Sequence, residues 1–140
     1  LIAFTLGSTP TESMGIRMVG AHTDSPCLKV KPLADKYSDP YLQVGVEVYG
    51  GALLNPWFDR DLSLAGRVQY RTQQTQCSAL VDFKRPIASI PSLAIHLDRE
   101  ANKNRPINAQ SHLPPLILQH TQNTKTTFSD LLLSQLKQQY

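Results

Sequence analysis

His22 and Asp24 stand two residues apart in Ala21-His22-Thr23-Asp24-Ser25, directly after the apolar Met18-Val19-Gly20. In an extended strand, side chains two apart share a face, so the imidazole and the carboxylate are expected to point the same way at a strand end. A neutral imidazole is a metal ligand, and a carboxylate beside it can accept its other N–H, fixing tautomer and ring orientation. The chemistry such a pair serves is hydrolysis at a metal centre. The same pair also suits a surface hydrogen bond at a turn, and three residues do not separate the two readings.

A two-metal hydrolytic centre needs more donors than this pair. His96, His112 and His120 and the scattered acids fall in no ligand spacing, with neither a His-Glu-x-x-His nor a Glu-Glu pair in the chain. His96, between Ile95 and Leu97, reads by default as a partly buried, satisfied histidine. Ser25 and Ser63 lack a nucleophile-elbow context, and Cys27 near His22 reads as an incidental thiol. The charge-dense Trp57-Phe58-Asp59-Arg60-Asp61, with Arg67 beyond it, is expected to brace a loop through ion pairs among Asp59, Arg60, Asp61 and Arg67. A domain or subunit contact around Trp57 is the functional counterpart.

The elements that must position these residues follow from periodicity. Residues 1–6 and 16–22 are mostly apolar and read as two buried strands of an α/β sheet, where ligand sites gather at strand C-termini. Residues 7–13 between them are turn-rich. From Cys27 the pattern changes to alternation: 28–32, then 41–49 with Leu42, Val44, Val46 and Val48 on one face. Two further strands, 65–71 and 79–83, flank a polar 72–78 hairpin loop, so a small barrel or sandwich is expected. Pro86 and Pro91 make 87–97 irregular, 98–112 is loop-like, and 113–120 is ambiguous between strand and helix. Residues 128–140 predict a helix capped by Ser129, with a stripe of Leu132, Leu133, Leu136 and Tyr140.

Composition narrows the function classes. The 140 residues fit one ordinary domain, and a net charge of +3 with pI near 9.0 is spread along the chain. No Lys/Arg cluster or aromatic–basic repeat marks a nucleic-acid surface, and no apolar run approaches the ~18–20 residues needed to cross a bilayer. Cys27 and Cys77 have no framework spacing and read as free thiols of a reducing compartment, so a cytoplasmic location is expected. The opening run Leu1-Ile2-Ala3-Phe4-Thr5-Leu6 carries no lead-in and reads as a fragment starting inside a larger fold.

Taken together, residues 20–26, 44–51, 57–68, 85–87 and 93–97 resemble, in order, the aspartyl aminopeptidases, metallopeptidases with a co-catalytic zinc pair. The resemblance implies that His22 ligates one zinc ion and that Asp24 orients that imidazole. It implies that His96, in an inserted dimerisation domain, reaches toward a neighbouring subunit's active site. It further implies peptide substrates with an acidic N-terminal residue, a glutamate general base outside this chain, two zinc ions (Zn2+) per active site, and dimers that assemble into a dodecamer.

The resulting expectation is an α+β or α/β fold in which the start of an α/β peptidase sheet, 1–30, precedes a β-rich inserted dimerisation domain with a C-terminal helix, 31–140. As a piece of an aminopeptidase it is expected to be inactive alone, because one histidine does not hold zinc in a three- or four-ligand site. The alternative is a non-catalytic β-rich oligomerisation module.

Overall fold

The computed structural model describes residues 1–8, 15–73, 75–120 and 126–140. Strand β1, Cys27–Ser38, pairs antiparallel with β2, Tyr41–Tyr49, and β2 pairs on its other edge with β5, Leu116–Gln119. A separate two-stranded ribbon joins β3, Ala65–Arg71, to β4, Gln76–Asp82. Among the described residues the α-helices are a single turn α1, Ala109–His112, and the longer α2, Phe128–Gln139, and a short 3-10 turn spans Asn55–Trp57. The fold is thus mixed α and β, with antiparallel sheets and a C-terminal helix.

The alternation in 41–49 folds as its pattern dictates. Leu42, Val44 and Val46 are buried while Tyr41, Glu47 and Tyr49 are exposed, the period-two burial of a strand with one covered face. β1 runs past Pro32 because the register shifts between Val30 and Asp35, a bulge that takes the proline out of regular pairing. Short bridges then extend the sheet: Leu62 pairs with Ala88, and Ser89 exchanges two hydrogen bonds with Leu116 of β5, at 3.0 and 2.8 Å. Val44, Val46, Phe58, Ile90, Leu113 and Phe128 meet in one core beneath this sheet. Within the ambiguous 113–120, Leu116–Gln119 is settled as strand by its pairing with β2 and Ser89 rather than by its own composition.

α2 is capped by Thr127, not by Ser129. The Thr127 hydroxyl accepts from the Asp130 N–H at 3.1 Å, and the Asp130 carboxylate accepts from the Thr127 N–H at 2.8 Å, a reciprocal capping box. The next donor, Phe128 N–H, bonds to the Asp35 carboxylate of β1 at 2.8 Å. At the far end, Gln135 Nε2 donates to the Asp82 carbonyl at 3.2 Å, and Leu136 packs on Val81 and Phe83. The buried stripe is therefore Phe128, Gln135 and Leu136, and the expected Leu133 and Tyr140 lie outside it, at 50% and 83% exposed. Moving the cap two residues forward does not change a helix's phase; tertiary contact chose the face, because Gln135 has a carbonyl to reach.

The ribbon turn is shorter than a 72–78 loop. β4 already pairs at Gln76, and Thr72 N–H closes on the Thr75 carbonyl at 2.9 Å. The two N-terminal strands are not present: residues 1–8 and 15–26 carry no strand, and Ile2, Phe4, Ile16, Met18 and Val19 are exposed. A strand requires a neighbour for its N–H and C=O groups, and the pairings described in this chain are made among residues 27–119.

Leu42, the second residue of β2, is fully buried. Leu42→Ala is expected to destabilise the fold by about 2–5 kcal/mol, against less than about 0.5 kcal/mol for Glu47→Ala on the opposite face, as read from urea denaturation midpoints. Asp130 ionises below its ordinary value because the Thr127 N–H and hydroxyl both donate to it. Its contribution is complete above the unfolded-state value and is lost as pH falls through the lowered folded value. Helix content of the Thr127→Ala variant, followed by circular dichroism, should consequently fall less steeply on acidification than that of the parent.

Candidate functional site

His22 and Asp24 lie in the exposed segment 15–26, which carries neither helix nor strand and leads into β1. The end of that segment is anchored: Cys27 pairs with Tyr49, and Pro26 lies against Gly50, whose φ of 78° turns the chain out of β2. No hydrogen bond or ion pair involves His22 or Asp24 among the described residues, and no group of three or more His, Cys, Asp or Glu gathers there that could hold a metal. One imidazole and one carboxylate do not meet the three- or four-donor requirement of zinc. The residues described in this chain therefore do not fit a zinc site by themselves. A groove of about 460 Å³ between Arg85–Ser89, β5 and α2 is lined by none of His22, Asp24 or His96.

His96 is exposed, not partly buried. It sits on a turn in which the Ala94 carbonyl accepts from Leu97 N–H at 2.8 Å and from Asp98 N–H at 3.2 Å. Leu93, Ile95 and Leu97 around it are 60%, 46% and 74% exposed, so the turn presents an imidazole within an apolar patch. The default expectation failed because the flanking apolar residues face outward and supply no cover. The other histidines have local roles. His112 Nδ1 accepts from the Asn108 N–H at the start of α1, and the His120 ring lies 5.6 Å from that of Tyr37.

The expected ion-pair network is also absent among the described residues. Arg60 donates to the Pro56 carbonyl, and neither Asp61 nor Arg67 forms a salt bridge. Asp59, at φ 55°, is used differently: its carboxylate accepts from the Ser92 N–H at 2.7 Å and its own N–H bonds to the Ile90 carbonyl. The hydrogen bonds from Ser92, aided by the positive field of Arg105, hold this carboxyl below its ordinary range. Arg105, Ser92 and Asp98 carried no signal in the sequence. Arg105 sits in a polar loop, and its partners are adjacent only after the chain has folded back.

Profile and structure comparisons bear on this arrangement. The profile of the peptidase M18 family, described as aminopeptidase I zinc metalloprotease, matches residues 1–139. The chain belongs to the M18 aminopeptidase family. It is 57% identical to the "Probable M18 family aminopeptidase 2" of Ectopseudomonas mendocina and 55% identical to that of Stutzerimonas stutzeri, each over 140 residues. Those matches cover the whole chain but 33% of each relative, so the chain spans about a third of the length of the curated relatives it matches. Among solved structures, a cryo-EM structure of the Ape4 and Nbr1 complex aligns with a TM-score of 0.68 at 45% identity, over 76% of this chain and 21% of that one. The structure of Chaetomium thermophilum mApe1 aligns with a TM-score of 0.64 at 30% identity, over 83% of this chain and 29% of that one. The aspartyl aminopeptidase resemblance is thus placed in a zinc metalloprotease family.

The lowered Asp59 carboxyl has a measurable sign. Its stabilisation is complete above the unfolded-state value and is lost as pH falls through the lowered folded value. Asp59→Asn is expected to reduce the loss of thermal stability between about pH 6 and about pH 3, as measured by melting temperature across that range. An unchanged pH dependence would show that Ser92 does not hold the carboxylate.

Proposed function

We propose that this sequence is part of a zinc-dependent aminopeptidase that hydrolyses the N-terminal peptide bond of peptides and releases Asp or Glu in preference to other residues. The observation that carries the reading is the M18 profile match from residue 1 to residue 139, which takes in the His22–Asp24 segment as well as the β-rich part. A non-catalytic oligomerisation module loses ground for the same reason, since the match is not confined to the strands.

In this reading His22 is one ligand of a zinc pair and Asp24 orients its imidazole. Their exposure, with no hydrogen-bond or salt-bridge partner among the described residues, leaves both side chains available to donors from elsewhere in the protein. No catalytic step is assigned to them here, because the donor set is short. Residues 1–30 belong to the peptidase domain and 31–140 to a dimerisation domain. Exposure of Leu1, Ile2, Phe4, Ile16, Met18 and Val19 supports the first assignment, as apolar residues of strand pattern that meet no partner strand among the described residues. His96 contributes to a neighbouring subunit's active site, in dimers that build a dodecamer, and its exposed apolar surround supports that. The free cysteines agree with a cytoplasmic location, and no described helix is long and apolar enough to cross a membrane.

In the full-length enzyme, His22→Ala is expected to abolish metal-dependent turnover and Asp24→Ala to lower it by about 10–100-fold. Normal activity of His22→Ala would overturn its assignment. Short peptides beginning with Asp or Glu should be cleaved faster than the same peptides beginning with Leu, measured as kcat/KM; equal rates would refute the acidic preference. Calorimetric titration of the 140-residue chain with zinc should show no tight stoichiometric site, and the chain alone should be inactive; a submicromolar site would mean that it holds a complete ligand set.

A further inference from the structure

The turn that presents His96 is held at both ends by one side chain. Ser92 precedes the turn and Asp98 ends it; Arg105 Nη1 donates to Ser92 Oγ at 3.0 Å, and Arg105 Nε lies 3.8 Å from Asp98 Oδ2. The guanidinium also lies over the Phe58 ring, 4.1 Å from its centroid, and that ring belongs to the buried core. Ser92 is fixed a second time by its N–H to Asp59 at 2.7 Å. The loop tip is thus referred to the core through a ring, a hydroxyl and two carboxylates.

The arrangement depends on arginine. Its planar fork offers separate N–H groups to Ser92 and Asp98 while its face stacks on an aromatic ring, which a lysine ammonium does not reproduce. The Asp98 contact alone would add little, as a 3.8 Å pair near the surface. Side-chain exposure of 22% for Arg105 and 28% for Asp98 leaves the cluster partly shielded from water, where its hydrogen bond and ring contact act together.

We propose that Arg105 is a positioning residue: by joining Ser92 to Asp98 on the Phe58 ring, it fixes the direction in which the Ala94–Asp98 turn presents His96. The inference rests on the reading of His96 as a contributor to a neighbouring active site. A group that must meet its target across a subunit boundary gains from a fixed approach, since a displacement of about 1 Å is enough to cost on the order of a hundredfold in rate.

The test uses the full-length assembled enzyme with His96→Ala, Arg105→Ala, Arg105→Lys and the double variant His96→Ala/Arg105→Ala. Arg105→Ala should lower kcat by about tenfold or more, and Arg105→Lys should restore only part of it. In the His96→Ala background, Arg105→Ala should cost nothing further, the non-additivity of two residues acting through one group. Hydrogen exchange should show faster amides at Leu97 and Asp98 in both Arg105 variants, independently of activity. The inference is overturned if His96→Ala lowers kcat while Arg105→Ala does not, if the two losses multiply, or if exchange at the turn is unchanged. A His96→Ala enzyme with normal kcat overturns the underlying role of His96, and with it the catalytic meaning of the staple, whatever exchange shows. Should Arg105→Ala not assemble, Arg105→Lys carries the same comparisons in both backgrounds.

Discussion

The double pairing of β2 is the constraint on which the rest of this structure depends. With β1 on one edge and β5 on the other, its register can slip only by breaking both ladders and moving Leu42, Val44 and Val46 to the solvent face. Everything else is indexed to that strand. The β5 edge passes its pairing to Ser89 and thence to Leu62, which brings Phe58 and Ile90 under the sheet. The β1 edge supplies Asp35, which takes the first free donor of α2, and α2 in turn reaches the carbonyl of Asp82 at the end of the ribbon.

The residues proposed to bear on function stand at the margins of this frame. His22 and Asp24 lead into β1 at the point where Cys27 meets Tyr49, and His96 caps a turn tied down through Ser92 and Asp98. The core therefore acts as a mount. It fixes where these two segments leave the fold, while the groups that would complete a zinc site are not gathered from the residues described. Membership of the M18 family, together with a chain covering a third of its relatives' length, makes that division of labour intelligible.

Legibility in the sequence followed the range of the forces involved. Strand 41–49 was readable because its alternation is a local record of one buried face, whereas helix 128–140 was readable as a helix but not in its buried face, since Leu133 and Tyr140 of the expected stripe stand in solvent. The strand at 116–119 was not, since a run of three apolar residues, Leu116–Leu118, has no period of its own and its state is fixed by β2 and Ser89. Residues 1–6 and 16–22 have strand composition and no strand, because composition does not supply a neighbour. The acidic–basic run at 59–61 misled in a similar way. Charges adjacent in sequence were expected to pair, yet Asp59 turned to the Ser92 amide, a donor 33 positions away.

By itself the sequence determined the chemistry available and the family: an imidazole with its carboxylate two residues on, a histidine in an apolar setting, and an ordered set of motifs between residues 20 and 97, within a family match that runs from residue 1 to 139. Tertiary structure decided exposure and attachment. It put His96 outside rather than under its leucines, chose Thr127 over Ser129 as the cap, and brought Arg105 onto Phe58 between Ser92 and Asp98. The physical reason is that residue type and spacing fix what a side chain can donate, accept or bury, whereas its partners are set by chain segments far apart that meet only when the sheet has closed.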